Sequence, residues 1–214
     1  QDGEKRSVLF SGDVGRWDLP IMRDPYQYEN ADYVLIESTY GDRVHKDVTD
    51  IPRELARVIN ETHQAGGNVV IPSFALERTQ ELLYHLNNLL KDDRIPHLMA
   101  FVDSPMAIKI TEVFKKHPEL FDEETMAHVR AGEKPCDFPG LTMSQSVDQS
   151  KAINHIKGTA IIIAGSGMCT GGRIKHHLKN NVSRPESTIL FVGYQAVGTL
   201  GRILLEKPEA VRIF

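Results

Sequence analysis

Residues Ile161 to Leu178 read IIIAGSGMCTGGRIKHHL, an apolar run that passes through a glycine-rich turn into a basic stretch. Glycines between a strand and a helix let backbone amides approach a phosphate closely. Gly165, Gly167, Gly171 and Gly172 would supply those amides, with a hydroxyl from Ser166 and a guanidinium from Arg173. The same residues also suit a turn that holds nothing. Two familiar phosphate loops are excluded by spacing. A Walker A loop has four residues between its glycines and then Lys-Ser/Thr, whereas only Met168, Cys169 and Thr170 separate Gly167 from Gly171, and Arg-Ile follows Gly172. A dinucleotide loop pairs with an acidic residue closing the next strand, and that apolar run, STILFVGYQ, ends in Gln195. No nucleotide cofactor is expected.

Two carboxylates follow apolar runs, Asp13 after SVLFSG and Glu37 in ADYVLIESTYGD. Either could bridge cations or orient a proton donor, although an acidic residue after a strand is more often plain turn chemistry. The nine histidines form no HxH or HxxxH pair. His45, His63, His97, His176 and His177 read, like the rest, as surface or capping residues. Cys136 and Cys169 share no ligand spacing, so neither a structural disulfide nor a thiolate metal site is expected. A reducing, cytoplasmic setting fits that usage.

These residues need a frame to hold them. The 214-residue chain is 41% hydrophobic and 25% charged, which suits a globular protein with a sizeable core. Its net charge of −4 excludes a molecule coated with positive charge for nucleic acid, while a local basic surface between Gly171 and Arg184 stays open. No run approaches the roughly 20 apolar residues of a membrane span, so no membrane partner is expected. NVVIPSFA, HLMAFVDS, LTMSQS, TAIIIAGSG and STILFVGYQ read as strands. Helical spacing covers 47–64, LERTQELLYHLNNLLKD, PMAIKITEVFKKH, VDQSKAINHIKG, GGRIKHHLKNN and TLGRILLEKP. Residues 118–139 look irregular. Alternating strands and helices predict an α/β fold, a mostly parallel sheet with helices on both faces. Ligands in such folds sit beyond the carboxyl ends of the strands, where Asp13, Glu37, Ser73, Ser104 and the glycine loop lie.

SGDVGR, LIESTYGDR, PSFALERTQELL, DSPMA and GSGMCTGGRIKHHL, followed by TILFVGYQAVGTLGR, occur in this order. Together they resemble the β-CASP branch of the metallo-β-lactamase superfamily, the nucleic-acid-processing metallohydrolases. The likeness is nearer to the bacterial and archaeal relatives of the pre-mRNA 3′-end cleavage endonuclease than to ribonuclease J. It implies a zinc-dependent ribonuclease in which an aspartate matching Asp13 bridges two zinc ions. It also implies that Glu37 orients a histidine acting on the leaving group. The glycine loop, Ser73, Arg78 and Ser104 would line a cleft for single-stranded RNA.

The sequence also departs from the family. The His-x-His-x-Asp-His motif and the further histidine ligands are absent from these residues, so the chain by itself is expected to hold zinc poorly and not to cleave RNA. It starts at Gln1 and ends on EAVRIF, which reads as a strand beginning, and is expected to be a piece of a longer protein. On that reading residues 1–45 close a first metallo-β-lactamase segment, residues 46–195 form the β-CASP domain and residues 196–214 start the return. The first segment would then expose strand edges and favour a homodimer. The alternative function is a non-catalytic RNA-binding or scaffolding relative.

Overall fold

The computed structural model describes residues 5–42, 44 and 50–214. The 45/46 boundary, His45 and the expected start of the first helix at 47–49 lie outside the described residues.

Five parallel strands form the central sheet: β3 (Val69–Pro72), β4 (Met99–Asp103), β5 (Leu141–Met143), β6 (Ala160–Ala164) and β7 (Thr188–Ile189), ordered β5-β4-β6-β3-β7. A separate parallel pair joins β1 (Val8–Phe10) to β2 (Tyr33–Leu35). The helices are α1 (Ile51–Ala65), α2 (Arg78–Lys91), α3 (Pro105–Lys116), α4 (Glu123–Arg130), α5 (Val147–Ile153), α6 (Ile174–Asn181) and α7 (Leu200–Leu205).

Side chains alternate across the pleat, so each central strand feeds two cores. Val69, Ile71, Ala100, Val102, Ile161 and Ile163 pack with Leu55 and Ile59 of α1, Leu82, Leu83, Leu86 and Leu89 of α2, and Ile108 of α3. Val70, Phe101, Ala160 and Ile162 pack on the other face with Ile153 of α5, Ile174 and Leu178 of α6, and Leu204 of α7. Right-handed crossovers explain the division. The chain moves one way along the sheet from β3 through β4 to β5, placing helices on one face, then turns back through β6 to β7 and places them on the other. The neighbours β3 and β6 therefore send their following helices to opposite faces, and a crevice opens beyond their carboxyl ends.

Strand β7 is much shorter than the apolar run predicted it to be. Thr188 and Leu190 donate to Asn68 and Val70 of the β3 side, but the next donor would come from Pro72, which has no N–H. The ladder stops there. EAVRIF forms no strand; Ile213 packs against the α6 side of the core and Phe214 lies beside Lys175 and His176. The stretch 118–139 is more regular than expected, because Asp122 caps α4 by accepting from the Thr125 amide at 2.6 Å, an N-cap signature that its acidic composition obscured. The β1–β2 pair presents apolar side chains to solvent: Phe10 in β1 is 70% exposed and Ile36, just after β2, 69%. The segment is tied down near Ile21, whose carbonyl accepts from the Asp122 amide, and by Arg23 donating to the Glu119 carbonyl.

Candidate nucleic-acid interface

The crevice is a cleft of about 690 Å³ lined by Ser73, Phe74, Ala75, Asp103, Ser104, Pro105, Met106, Lys109, Gly165, Ser166, Gly167, Gly172 and Arg173. Seven sequence-predicted residues are among them. Gly171 is part of the loop but does not line the cleft, and Arg78 lies elsewhere.

Ser73 is buried. Its hydroxyl donates to the Phe74 carbonyl at 3.2 Å and sits 3.1 Å from the Thr79 hydroxyl, so its local work is to fix the turn into α2. Ser104 caps α3, its Oγ accepting from the Ala107 amide at 3.3 Å. Ser104→Ala should cost about 1 kcal/mol of stability, read from the midpoint of a thermal melt. The glycine loop closes on itself: the Ile174 amide donates to the Gly165 carbonyl and the Cys169 amide to the Ser166 carbonyl. The amides of Gly167 and Gly172 have no protein acceptor among the described residues, as an anion-binding loop requires.

Arg173 behaves differently from a mobile phosphate clamp. Its Nη1 donates to Asp103 Oδ1 at 2.7 Å and to the Ser144 carbonyl at 3.0 Å, and its Nη2 donates to the Gln145 carbonyl at 2.8 Å. Most of its donors are already committed, which fixes the guanidinium at the cleft wall. The centre of that network is Asp103, a residue the sequence did not single out. It is wholly buried; its Oδ2 also accepts from Ser150 Oγ at 2.6 Å and lies 2.7 Å from His177 Nε2. Burial by itself would raise its pKa. Hydrogen bonds from His177, Ser150 and Arg173 outweigh that and hold the carboxyl at about 2.

His177 overturns the reading of every histidine as surface or capping. It is 0% exposed, because α6 turns Ile174, His177, Leu178 and Asn181 onto one inward face. That spacing was visible in the sequence. His85 is also buried, 3.8 Å from Glu81 on the largely enclosed α2. Lys109 was missed as well; one turn beyond the α3 cap, it is exposed and lines the cleft. Cys136 and Cys169 are buried and unbridged, and burial pushes both thiols up to about 12, away from nucleophilic use.

A second cavity of about 560 Å³ adjoins, with Asp13, Arg16, Arg23, Phe74, Arg78 and Glu81 in its lining. Here Arg78 pairs with Glu81 at 2.6 Å. Asp13 is exposed in the loop after β1, and Glu37 follows β2 at the same end of that pair. Glu37 Oε2 accepts from the Thr39 amide at 2.9 Å, while its own amide donates to Ser11 Oγ at 3.1 Å, tying the two loops together. Those Thr39 contacts hold the Glu37 carboxyl below the usual carboxylate range. Among the described residues no three His, Cys, Asp or Glu side chains come together in a form that could hold a metal. One exposed aspartate does not make a two-zinc site.

Residues 79–204 match the family model described as the Beta-Casp domain. The chain is 41% identical over 211 residues to Ribonuclease TTHA0252 of Thermus thermophilus, covering 99% of this chain and 48% of that protein. It is 29% identical to the Transcription termination factor FttA of Methanosarcina mazei, over 92% of this chain and 31% of that protein. Against an RNase J-like protein of Methanocaldococcus jannaschii it is 32% identical, over 100% of this chain and 49% of that protein. The chain thus spans about a third to a half of the length of these relatives.

Proposed function

The chain belongs to the β-CASP family of the metallo-β-lactamase superfamily, and from that premise we propose that it is the RNA-gripping part of a zinc-dependent ribonuclease. The observation that carries this reading is the convergence of Ser73, Ser104, the glycine loop and Lys109 on one cleft at the crossover reversal of the sheet. Unpaired amides at Gly167 and Gly172 would take phosphate oxygens, and Lys109 would add charge beside them. These contacts recognise backbone and leave bases splayed, which suits a single strand over a duplex.

Asp13 would give one carboxylate to a zinc centre whose other ligands these residues do not supply, and Glu37 would orient an acid beside it. No hydrolytic step is assigned to the chain's own residues, and by itself the chain is proposed to bind RNA without cleaving it. Residues 46–195 would be the β-CASP domain, flanked by metallo-β-lactamase segments. The open β1–β2 pair would suit a homodimer, and the free buried thiols a cytoplasmic setting.

The test is fluorescence anisotropy of labelled single-stranded RNA with this chain. Affinity should fall linearly on log–log axes as salt rises, and Lys109→Glu should weaken binding roughly tenfold by setting an acid against the phosphates. Binding indifferent to both salt and Lys109→Glu would remove the cleft from the proposal.

A further inference from the structure

The glycine-loop cleft and the Asp13 cavity meet at Phe74, which lines both. Phe74 is 40% exposed while its backbone is fixed at the turn. The Phe74 carbonyl accepts from Thr79 Oγ1 at 2.7 Å and from Ser73 Oγ at 3.2 Å. One side of the ring is bedded on backbone. A Cβ placed on Gly167 would lie 2.7 Å from the ring and one on Gly193 would lie 3.1 Å from it, so glycine at both positions lets the ring settle against the chain. The two cavities that share the ring also carry cations, Lys109 in the first and Arg16 and Arg23 in the second, while Arg173 and Arg78 are held by Asp103 and Glu81.

We propose that Phe74 is a stacking platform for one nucleobase of the bound strand, at the point where it passes from the glycine loop toward Asp13. The inference rests on the RNA reading above and adds to it a contact with a base. Phosphates answer to the glycine-loop amides and to exposed cations such as Lys109. A flat apolar ring between them offers nothing to a phosphate, but every base has a face to lay on it. The contact is therefore expected to be tolerant of sequence and to hold the strand in register with the Asp13 cavity.

The experiment measures binding of a labelled oligouridylate to the wild-type chain and to Phe74→Ala, Phe74→Leu and Phe74→Trp. It is repeated with oligonucleotides carrying one abasic position, moved along the strand. Phe74→Ala and Phe74→Leu should each weaken binding about tenfold, while Phe74→Trp should keep it. One abasic position should weaken the wild type by a similar factor and Phe74→Ala hardly further, because both remove the same stack. Phe74→Leu keeps an apolar side chain over Gly167 and Gly193, so it decides the matter even where alanine loosens the loop. Wild-type affinity in Phe74→Leu, or abasic losses that add fully to those of Phe74→Ala, would overturn the platform while leaving the RNA reading intact. A wild-type chain that binds no oligonucleotide sinks both.

Discussion

Asp103→Ala is expected to lower folding stability by about 3–5 kcal/mol, the cost of leaving buried partners of a charged network unmatched. Asp103 is wholly buried and joins three elements that are distant in the chain: the end of β4 that carries it, Ser150 of α5, and the Arg173 and His177 that begin and fill α6. Removing the carboxylate strands a guanidinium at the cleft wall and a histidine with no exposed atoms. Urea unfolding measures the loss. Oligonucleotide affinity should fall with it, since this carboxylate fixes Arg173, the residue directly after the glycine loop, at the cleft wall; an Asp103→Ala chain of wild-type stability would show the network to be incidental.

The same carboxyl sets a pH signature. Its pKa is depressed from 3.8 to about 2 in the folded chain. A depressed carboxyl contributes stability that is present above the unfolded value and lost as pH falls through the folded one. The contribution, on the order of 2 kcal/mol, should be complete above about pH 5 and lost progressively down to about pH 1. Asp103→Asn has no such proton to take up. Its stability deficit against wild type should therefore narrow across that window, as read from urea midpoints at each pH. A constant deficit would place the acid sensitivity elsewhere.

Gly172→Ala is the second large effect. Gly172 holds φ +74°, where a side chain costs about 1–2 kcal/mol, and its Cβ would lie 2.5 Å from the Gly165 carbonyl oxygen and 3.1 Å from its carbon. Neither backbone atom can move without opening the loop, because that carbonyl already accepts from the Ile174 amide. The loss is expected to reach about 3 kcal/mol in all, with RNA affinity falling in parallel. Gly171→Ala is the internal control, since a Cβ there has nothing within 4 Å and should change stability by less than about 0.5 kcal/mol. Equal behaviour of the two variants in denaturant and in RNA binding would contradict this account of the loop.

Local signals carried much of this protein in the sequence itself. Short apolar runs alternating with helical spacing predicted a parallel α/β sheet, and strands β3, β4 and β6 lie where those runs stand. The run of glycines after β6 marked one wall of the cleft, because tight turns depend on residues within a few positions of one another, and the family resemblance pointed to Ser104 on another. The linked motifs pointed to the family that the Beta-Casp match identifies. Tertiary structure alone decided what those walls enclose. Asp103 and His177 are 74 positions apart and become partners only because β4 lies beside β6, whose following helix packs back over the sheet. Lys109 and Phe74 carried no signal of their own in the sequence, and only the crossover reversal puts them at the cleft. Pro72 cuts β7 short only because β7 pairs with β3. Hydrophobic spacing and turn chemistry act along the chain and can be read there. Charge pairing, burial of a polar side chain and the meeting of two cavities act across it, through neighbours that only the folded sheet supplies.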